Sequence, residues 1–407
     1  MASDKTTGLL PQGNSIPFGN GSLLIDRLIG SGATSEVYAG RLPDDRRQPR
    51  VAIKAMKPLE FAKARELFSE EAYTLARLPE REQETNKAYG LPETFRVAPE
   101  FFGRSKYGDI EFLVMAWIEG RQIPDLLADS ADSRLPEQQA LTAGFHLFRM
   151  LDLLHTHLRK TYIDLKLENL WWDGTPTDGQ LRLTDFGTME NIESGDDRGV
   201  RRDLLVASTY LCKMLTGYMP DHIAGELIEQ AVPIIQRSDI TWGARQLLSR
   251  LLHPNVGERP QTAADVLNPG PPSAPDRADL SGLVGLMDLA DYWRRPPELL
   301  VKSKDAIWEA ALSKESAERA KLLGRARALL DIWAARASHV DAGRVAEEQR
   351  QLDELLQQSG ALENGRNLFK SRSFSHAETL FTQGRRQSYE PARIALFRRW
   401  TYLAQMG

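Results

Sequence analysis

Six polar side chains hold most of the chemistry that can be read from this sequence: Lys54, Glu71, Asp164, Lys166, Asn169 and Asp185. Val51-Ala-Ile-Lys54 is an apolar run closed by an ammonium, and Glu71 falls on the following helical stretch, where it can pair with that ammonium. Tyr162-Ile-Asp164-Leu-Lys166-Leu-Glu-Asn169 then supplies a carboxylate, a second ammonium and an amide oxygen, and Asp185-Phe-Gly187 follows. Moving a phosphoryl group needs cations on the phosphates, oxygens for a metal ion, and a group that orients the attacking hydroxyl. Asp164 can take or orient that hydroxyl's proton, Lys166 can neutralise charge on the moving group, and Asn169 and Asp185 offer oxygens suited to magnesium. Gly30 and Gly32 sit between two apolar runs, where a backbone without side chains can come close to phosphates. A lone lysine and glutamate are usually surface charges. The information lies in the order of the whole set.

Such residues need elements to hold them. Apolar alternation from Leu23 to Ile29, the small-residue turn Gly30 to Tyr38 and the run Val51–Lys54 predict a strand, a loop and two more strands. Phe61, Leu67, Phe68, Leu75 and Leu78 can share one helical face, after which residues 79–98 are polar and broken by Pro79 and Pro92. Phe112-Leu-Val-Met115 is compact enough for a buried strand. Leu141, Phe145, Phe148, Leu151, Leu154 and Leu158 predict a long buried helix from Pro136 to about Lys160, with short strands to follow near 170–172 and 181–184. Beyond Asp203 the pattern is helical to Leu267, where Asn-Pro-Gly-Pro-Pro-Ser-Ala-Pro has a linker's composition.

With these motifs in this order, the stretch from about Leu23 to Leu267 resembles the eukaryotic-type protein kinase family, including its bacterial Ser/Thr members. The resemblance implies an α+β, bilobal fold, with a small β-rich N-lobe and a larger helical C-lobe, followed here by an all-α C-terminal domain. It implies ATP and Mg2+ as cofactors. Lys54, Glu71, Asp164 and Lys166 become the expected catalytic set, and Asn169 and Asp185 the metal ligands. The nucleotide would lie among Gly30, Gly32, Val37, Ala52 and Lys54, with Met115 as gatekeeper, Ala116, Trp117 and Ile118 as the hinge, and Trp171 beneath the base. Asp203 matches the residue that braces the family's catalytic loop, and Arg259 the arginine of its late loop. The activity implied is transfer of the γ-phosphoryl group of ATP to a protein hydroxyl, or to the enzyme itself.

Several residues depart from the family pattern. Ser35 stands where a third loop glycine is usual, and Tyr162-Ile163 replaces the usual His-Arg. Without that arginine, control by phosphorylation of the activation loop is not expected. Residues 188–202 are all that separate Gly187 from Asp203, without an Ala-Pro-Glu triplet, so the platform for an extended peptide is shortened. Trp171 could stack on a base or fill its pocket, and a strand register that sends Trp171 or Trp172 into the core is the alternative.

At 407 residues, 42% hydrophobic and 27% charged, with a formal charge of −4, the chain is long enough for more than one core and has no general pull toward nucleic acid or anionic membrane. A single cysteine, Cys212, leaves no internal disulfide and suits a reducing, cytoplasmic setting, and no stretch reads as a signal peptide or membrane span. The expected organisation is a flexible segment over 1–20, the kinase-like domain over 21–267, a Pro-rich linker over 268–278 and a helical region over 279–407. In that last region Leu283, Leu286 and Leu289, then Ile307 and Ala311, then Leu323, Leu329 and Ile332 keep helical spacing. Gly365, Leu368, Phe374, Ala377, Phe381, Gly384 and Pro391 have the spacing of one tetratricopeptide unit, which a plain helical bundle also produces. Arg385, Arg386, Arg393, Arg398 and Arg399 make its end basic. Docking of a partner protein, or restraint of the kinase lobes, is the role expected of this region. A scaffold acting through these helices, or a phosphotransferase for a small molecule, are the competing readings of the whole.

Overall fold

The computed structural model describes residues 8–58, 62–223, 226–227, 231–268, 285–294, 306, 309–310, 316–337, 350, 364, 374–386 and 401. Two compact units emerge: residues 1–230 with 261–264, and residues 231–260 with 265–407.

The first unit opens with strands β1 (Ser15–Phe18), β2 (Gly21–Ser31), β3 (Ser35–Arg41) and β4 (Arg50–Met56). Helix α1 (Ala62–Asn86) follows, then β5 (Phe101–Tyr107) and β6 (Ile110–Ala116). The strands form one antiparallel sheet in the order β1-β2-β3-β4-β6-β5. Alternate residues Leu23, Ile25, Val51, Ile53, Phe112 and Val114 are buried on one face, joined by Tyr38, Leu10 and Ile16. Residues 8–20 are therefore no flexible lead-in. Leu10 and Ile16 are both buried in the sheet's core, and their apolar side chains hold an otherwise polar segment in place.

Helix α1 runs past Pro79, where the sequence pattern predicts a break. Proline removes one backbone donor and normally ends a helix. Here the turns beyond it are fixed by buried polar contacts. Glu82 Oε1 accepts from the amide of Val97 (2.6 Å) and from Arg149 Nη2 (3.0 Å), and Asn86 accepts from Arg149 Nη1 (2.7 Å). Asn86 Nδ2 also donates to the carbonyls of Pro92 and Phe95 (3.0 and 2.9 Å). Periodicity carries no trace of such long-range polar ties.

The helical part contains β7 (Arg121–Gln122), α2 (Ile123–Asp129), α3 (Glu137–Asp152), β8 (Lys160–Thr161), β9 (Leu170–Gly174), β10 (Gly179–Leu183) and α4 (Arg198–Thr216). Helix α3 passes into a π-helical turn over Leu153–Leu158, so the predicted long helix changes its winding before it ends. Helix α3 is buried from Gln139 to Leu151 and packs on α4 and β10. The strand-rich sheet followed by a helical part is the arrangement expected from the sequence.

In the second unit the helix Trp242–Leu251 packs against Leu286–Arg294 and Ser316–Ala337. Gly243 permits this approach, because an added Cβ would lie 2.7 Å from Leu289 and 3.3 Å from Ala328. Leu286, Leu289, Leu329 and Ile332 are buried, as are Ala377 and Phe381 on the helix Phe374–Arg386. Most of the linker read at 268–278, with Leu283, Ile307, Ala311, Gly365, Leu368, Pro391, Arg393, Arg398 and Arg399, lies outside the described residues.

Candidate active site

A cleft of about 1050 Å³ opens between the sheet and the helical part of the first unit. Its roof comes from the β2–β3 hairpin, where Gly30, Gly32 and Val37 line it, and from Ala52 on β4. Met115, Ala116, Trp117 and Ile118 form its back at the end of β6. Asp164, Lys166, Asn169, Trp171 and Asp185 line the opposite wall, with Lys54 and Glu71 deep inside. Every residue singled out from the sequence for the nucleotide, the metal and the chemistry thus borders one cavity.

Lys54 is the centre of its polar network. Its Nζ donates to both carboxylate oxygens of Glu71 (2.9 and 2.7 Å) and to Asp185 Oδ1 (2.8 Å). Burial works against the Lys54 charge, but the two carboxylates outweigh it and hold the ammonium's pKa above the ordinary lysine value. Asp185 is pushed up by burial and pulled further down by Lys54, so its carboxyl titrates below the usual aspartate range. Loss of water raises the pKa of Glu71, and the Lys54 ammonium opposes this. A Cβ on Gly187 would stand 3.0 Å from Glu71 Oε2, so the carboxylate would have to shift by a few tenths of an ångström to admit it.

Asp164 and Lys166 pair on the opposite wall of the cleft, with Lys166 Nζ donating to Asp164 Oδ2 at 2.6 Å. That hydrogen bond raises the lysine's pKa. The loop holding them is fixed from below. Asp203 Oδ2 on α4 accepts from the Tyr162 amide (2.7 Å) and lies 3.0 Å from His155 Nε2, all three groups being buried. Tyr210 donates to the carbonyl of Leu165 (2.8 Å), and Asn169 O accepts from the Thr184 amide (3.0 Å). The Tyr162 hydroxyl, wholly buried, is shared between the carbonyls of Thr184 (2.5 Å) and Asp185 (2.7 Å), and burial drives its pKa well up. Ile163 and Asp185 both have positive φ, 56° and 66°. For a β-branched residue such as Ile163 this conformation is strained, and it persists because the neighbours on either side are anchored.

Sequence reasoning noted Tyr162 only as a substitution for His and missed its hydroxyl as the tie between Asp164's loop and Asp185. A buried tyrosine needs a partner for its OH, which was the available signal. It also missed His155, which no local motif marks.

The pairing of β9 with β7 and β10 sets Trp171 opposite Gln122 and Arg182, and Trp172 opposite Arg121 and Leu181. Successive strand residues face opposite ways. Trp171 accordingly lines the cleft, while Trp172 is buried with its Nε1 donating to Thr175 O at 2.9 Å. Behind Met115, Ala116 N donates to Glu100 O (2.8 Å) and Trp117 N to Arg50 O (3.1 Å). The Arg50 guanidinium also lies 4.7 Å from the Trp117 ring centre.

Gly30 and Gly32 have no steric need for glycine in the protein itself. A Cβ on Gly30 would have nothing within 4 Å, and one on Gly32 only Ser35 O at 3.7 Å. Neither has a positive φ. Their smallness leaves the backbone open to a close approach from the cleft.

The donor set fits a magnesium ion. Asp185 and Asn169 both line the cleft, and the Asp185 side chain is 46% exposed. One carboxylate and one amide oxygen make the sparse protein contribution expected when phosphates and water complete the shell. Among the described residues no group of three or more His, Cys, Asp or Glu forms a self-sufficient metal cage.

No curated protein matches the chain. Among solved structures, the chain is similar to the Mycobacterium tuberculosis PknI kinase domain, at 19% identity over 63% of this chain and 96% of that one, with a TM-score of 0.45. The family model described as protein kinase domain matches residues 24–215. Residues 24–215, which contain every catalytic-site candidate from Gly30 to Asp185, form a protein kinase domain.

Proposed function

We propose that this chain is a Ser/Thr-type protein kinase that uses ATP and Mg2+ to phosphorylate a hydroxyl on a protein, its own chain included. The observation that supports this best is the convergence of Lys54, Glu71, Asp164, Lys166, Asn169 and Asp185 on one cleft. A scaffold that did not bind nucleotide would have no use for all six.

In this reading Lys54, held by Glu71, fixes the α- and β-phosphates. Lys166 offsets charge on the γ-phosphoryl group as it moves. Asp164 aligns the acceptor hydroxyl and receives its proton, while the new O–P bond forms and the bond to the β-phosphate oxygen breaks, leaving ADP. Asp185 and Asn169 hold the metal ion, which when bound neutralises phosphate charge. The aromatic face of Trp171 supports the base from below, and Trp117 and Ile118 present the hinge backbone.

The short segment after Gly187 favours a folded acceptor over an extended peptide. It is stitched under the catalytic loop, with Glu190 and Asn191 pairing Thr161 and Lys160 and the Ile192 amide donating to Arg159 O at 2.8 Å. The organisation proposed is a kinase domain over 21–267 extended at its start by the sheet-bound segment 8–20, a linker over 268–278, and a helical region over 279–407 that docks a partner protein. No helix among the described residues is long and apolar enough to cross a membrane, and the cytoplasm is the proposed location.

Purified protein incubated with γ-labelled ATP and magnesium, beside Asp185→Ala, tests the proposal. Label on protein from the wild type alone supports it. Equal label in both, or none in either with any protein acceptor offered, rejects it.

A further inference from the structure

We infer that the N-terminal strap, residues 8–18, is a positioning element for the phosphate-binding hairpin, and that Gln12 and Tyr38 are the positioning residues through which it acts. The inference rests on the nucleotide site proposed above, but it concerns a part of the chain that contributes no residue to the cleft.

The strap grips both arms of the hairpin. On the incoming arm, β2 carries two register irregularities, at Ile25/Arg27 and at Leu28/Gly30. A bulge leaves a backbone group off the ladder and bends the strand. Gln12 Oε1 accepts from the Leu28 amide at 3.1 Å, two residues before Gly30. Just before this, Gly13 N donates to Ile25 O (2.7 Å) and Ile25 N donates to Asn14 O (3.0 Å). Gly13 has φ +78°, a left-handed turn that aims the strap along the bulged strand.

On the returning arm, Leu9 N donates to Glu36 Oε2 at 2.8 Å and Leu10 N to the Tyr38 hydroxyl at 3.1 Å. The Tyr38 hydroxyl in turn donates to the same Glu36 oxygen. Glu36 and Tyr38 flank Val37, which lines the cleft roof. A Cβ on Gly8 would collide with the Tyr38 hydroxyl, so the chain enters this junction with no slack. Leu10 and Ile16, both 2% exposed, anchor the strap in the core of the sheet.

Fixing both arms narrows the directions in which the loop between them can point. Three of the loop's carbonyls are already engaged: Ser35 O accepts from the Gly32 amide (2.8 Å), Thr34 O from the Lys57 amide (2.9 Å), and Gly32 O from Lys57 Nζ (2.6 Å). With those acceptors occupied, the loop's remaining amides can face an anion, provided its arms stay in register. Holding that register is the strap's function.

The test compares wild type with Gln12→Ala, Gln12→Glu and Tyr38→Phe in the full chain. Amide hydrogen exchange is measured over residues 30–36 and over β4–β6, and binding of ATP with magnesium is measured by calorimetry. Losing one such hydrogen bond is expected to speed exchange in the loop about three- to tenfold and weaken nucleotide by a similar factor. Exchange over β4–β6 is expected to stay at the wild-type rate. Gln12→Glu keeps an acceptor oxygen at the same reach and is expected to restore both. Unchanged loop exchange in Gln12→Ala and Tyr38→Phe overturns the inference, as does acceleration spread evenly over the sheet. Failure of the wild type to bind nucleotide would count against the proposed function, while the exchange comparison would still decide the strap's role.

Discussion

Replacing Gly30 or Gly32 by alanine separates what the fold needs from what the ligand needs. A methyl group at Gly30 has nothing within 4 Å, and at Gly32 only one carbonyl oxygen at an ordinary 3.7 Å. Neither position is left-handed, so no backbone strain follows. Without nucleotide, Gly30→Ala and Gly32→Ala should keep or slightly raise Tm, because alanine restricts the unfolded chain by about 0.4–1 kcal/mol. With nucleotide the methyl occupies the space that phosphate oxygens must enter, and overpacking of that kind costs about 1–3 kcal/mol. That corresponds to roughly 5- to 150-fold weaker binding of ATP with magnesium. Melting curves without nucleotide and calorimetric titrations with it would measure the two sides. Gly120→Ala provides the contrast, since its Cβ would run into the carbonyl of Trp172 and should lower Tm with no nucleotide present. If Gly30→Ala and Gly32→Ala bind as tightly as wild type, the argument that these glycines answer to phosphate fails.

Other substitutions test the surrounding network. Gly187→Ala places a methyl 3.0 Å from Glu71 Oε2 and should loosen the grip on Lys54, lowering kcat about tenfold or more while Tm moves little; steady-state kinetics and melting decide it. Arg149→Met strands the buried Glu82 carboxylate and should cost about 3–5 kcal/mol in urea unfolding, with most of the loss recovered in Glu82→Leu/Arg149→Met. Cys212 is fully buried and its thiol is pushed up to about 11, so a thiol reagent at neutral pH should label it only after denaturation. The Asp185 carboxyl titrates below its free value of 3.8, so its pairing stabilises the fold above that pH and the contribution is lost as pH falls through the depressed pKa. The stability gap between wild type and Asp185→Asn should therefore stay constant at neutral pH and close below about 3.8, as acid titration with a fluorescence readout would record.

Much of the cleft was legible because its residues sit where short-range pattern is strong. Lys54 closes an apolar run in the sequence, Asp164 and Asn169 share one loop, and Asp185 opens a short motif, so type and spacing identify them without knowledge of the fold. The strand register that sends Trp171 to the cleft and Trp172 to the core was not legible, because it depends on pairing with β7 and β10. The strap was hidden for a different reason. Gly, Pro, Ser and Asn dominate it, and its two buried anchors, Leu10 and Ile16, are too far apart to make a periodic signal. Helix α1 beyond Pro79 owes its continuation to Glu82, Asn86 and Arg149, contacts between residues more than sixty positions apart in sequence.

The Glu82–Arg149 pair also constrains how this gene can drift. Both side chains are fully buried, so exchanging either alone leaves an orphaned charge at a cost comparable with a large share of a domain's roughly 5–15 kcal/mol of stability. An ancestral chain could trade the pair for two apolar residues only through a crippled intermediate or a simultaneous double change. Among descendants of a common sequence, the two positions should accordingly be inherited together, with ion pair or hydrocarbon at both sites and mixed combinations purged.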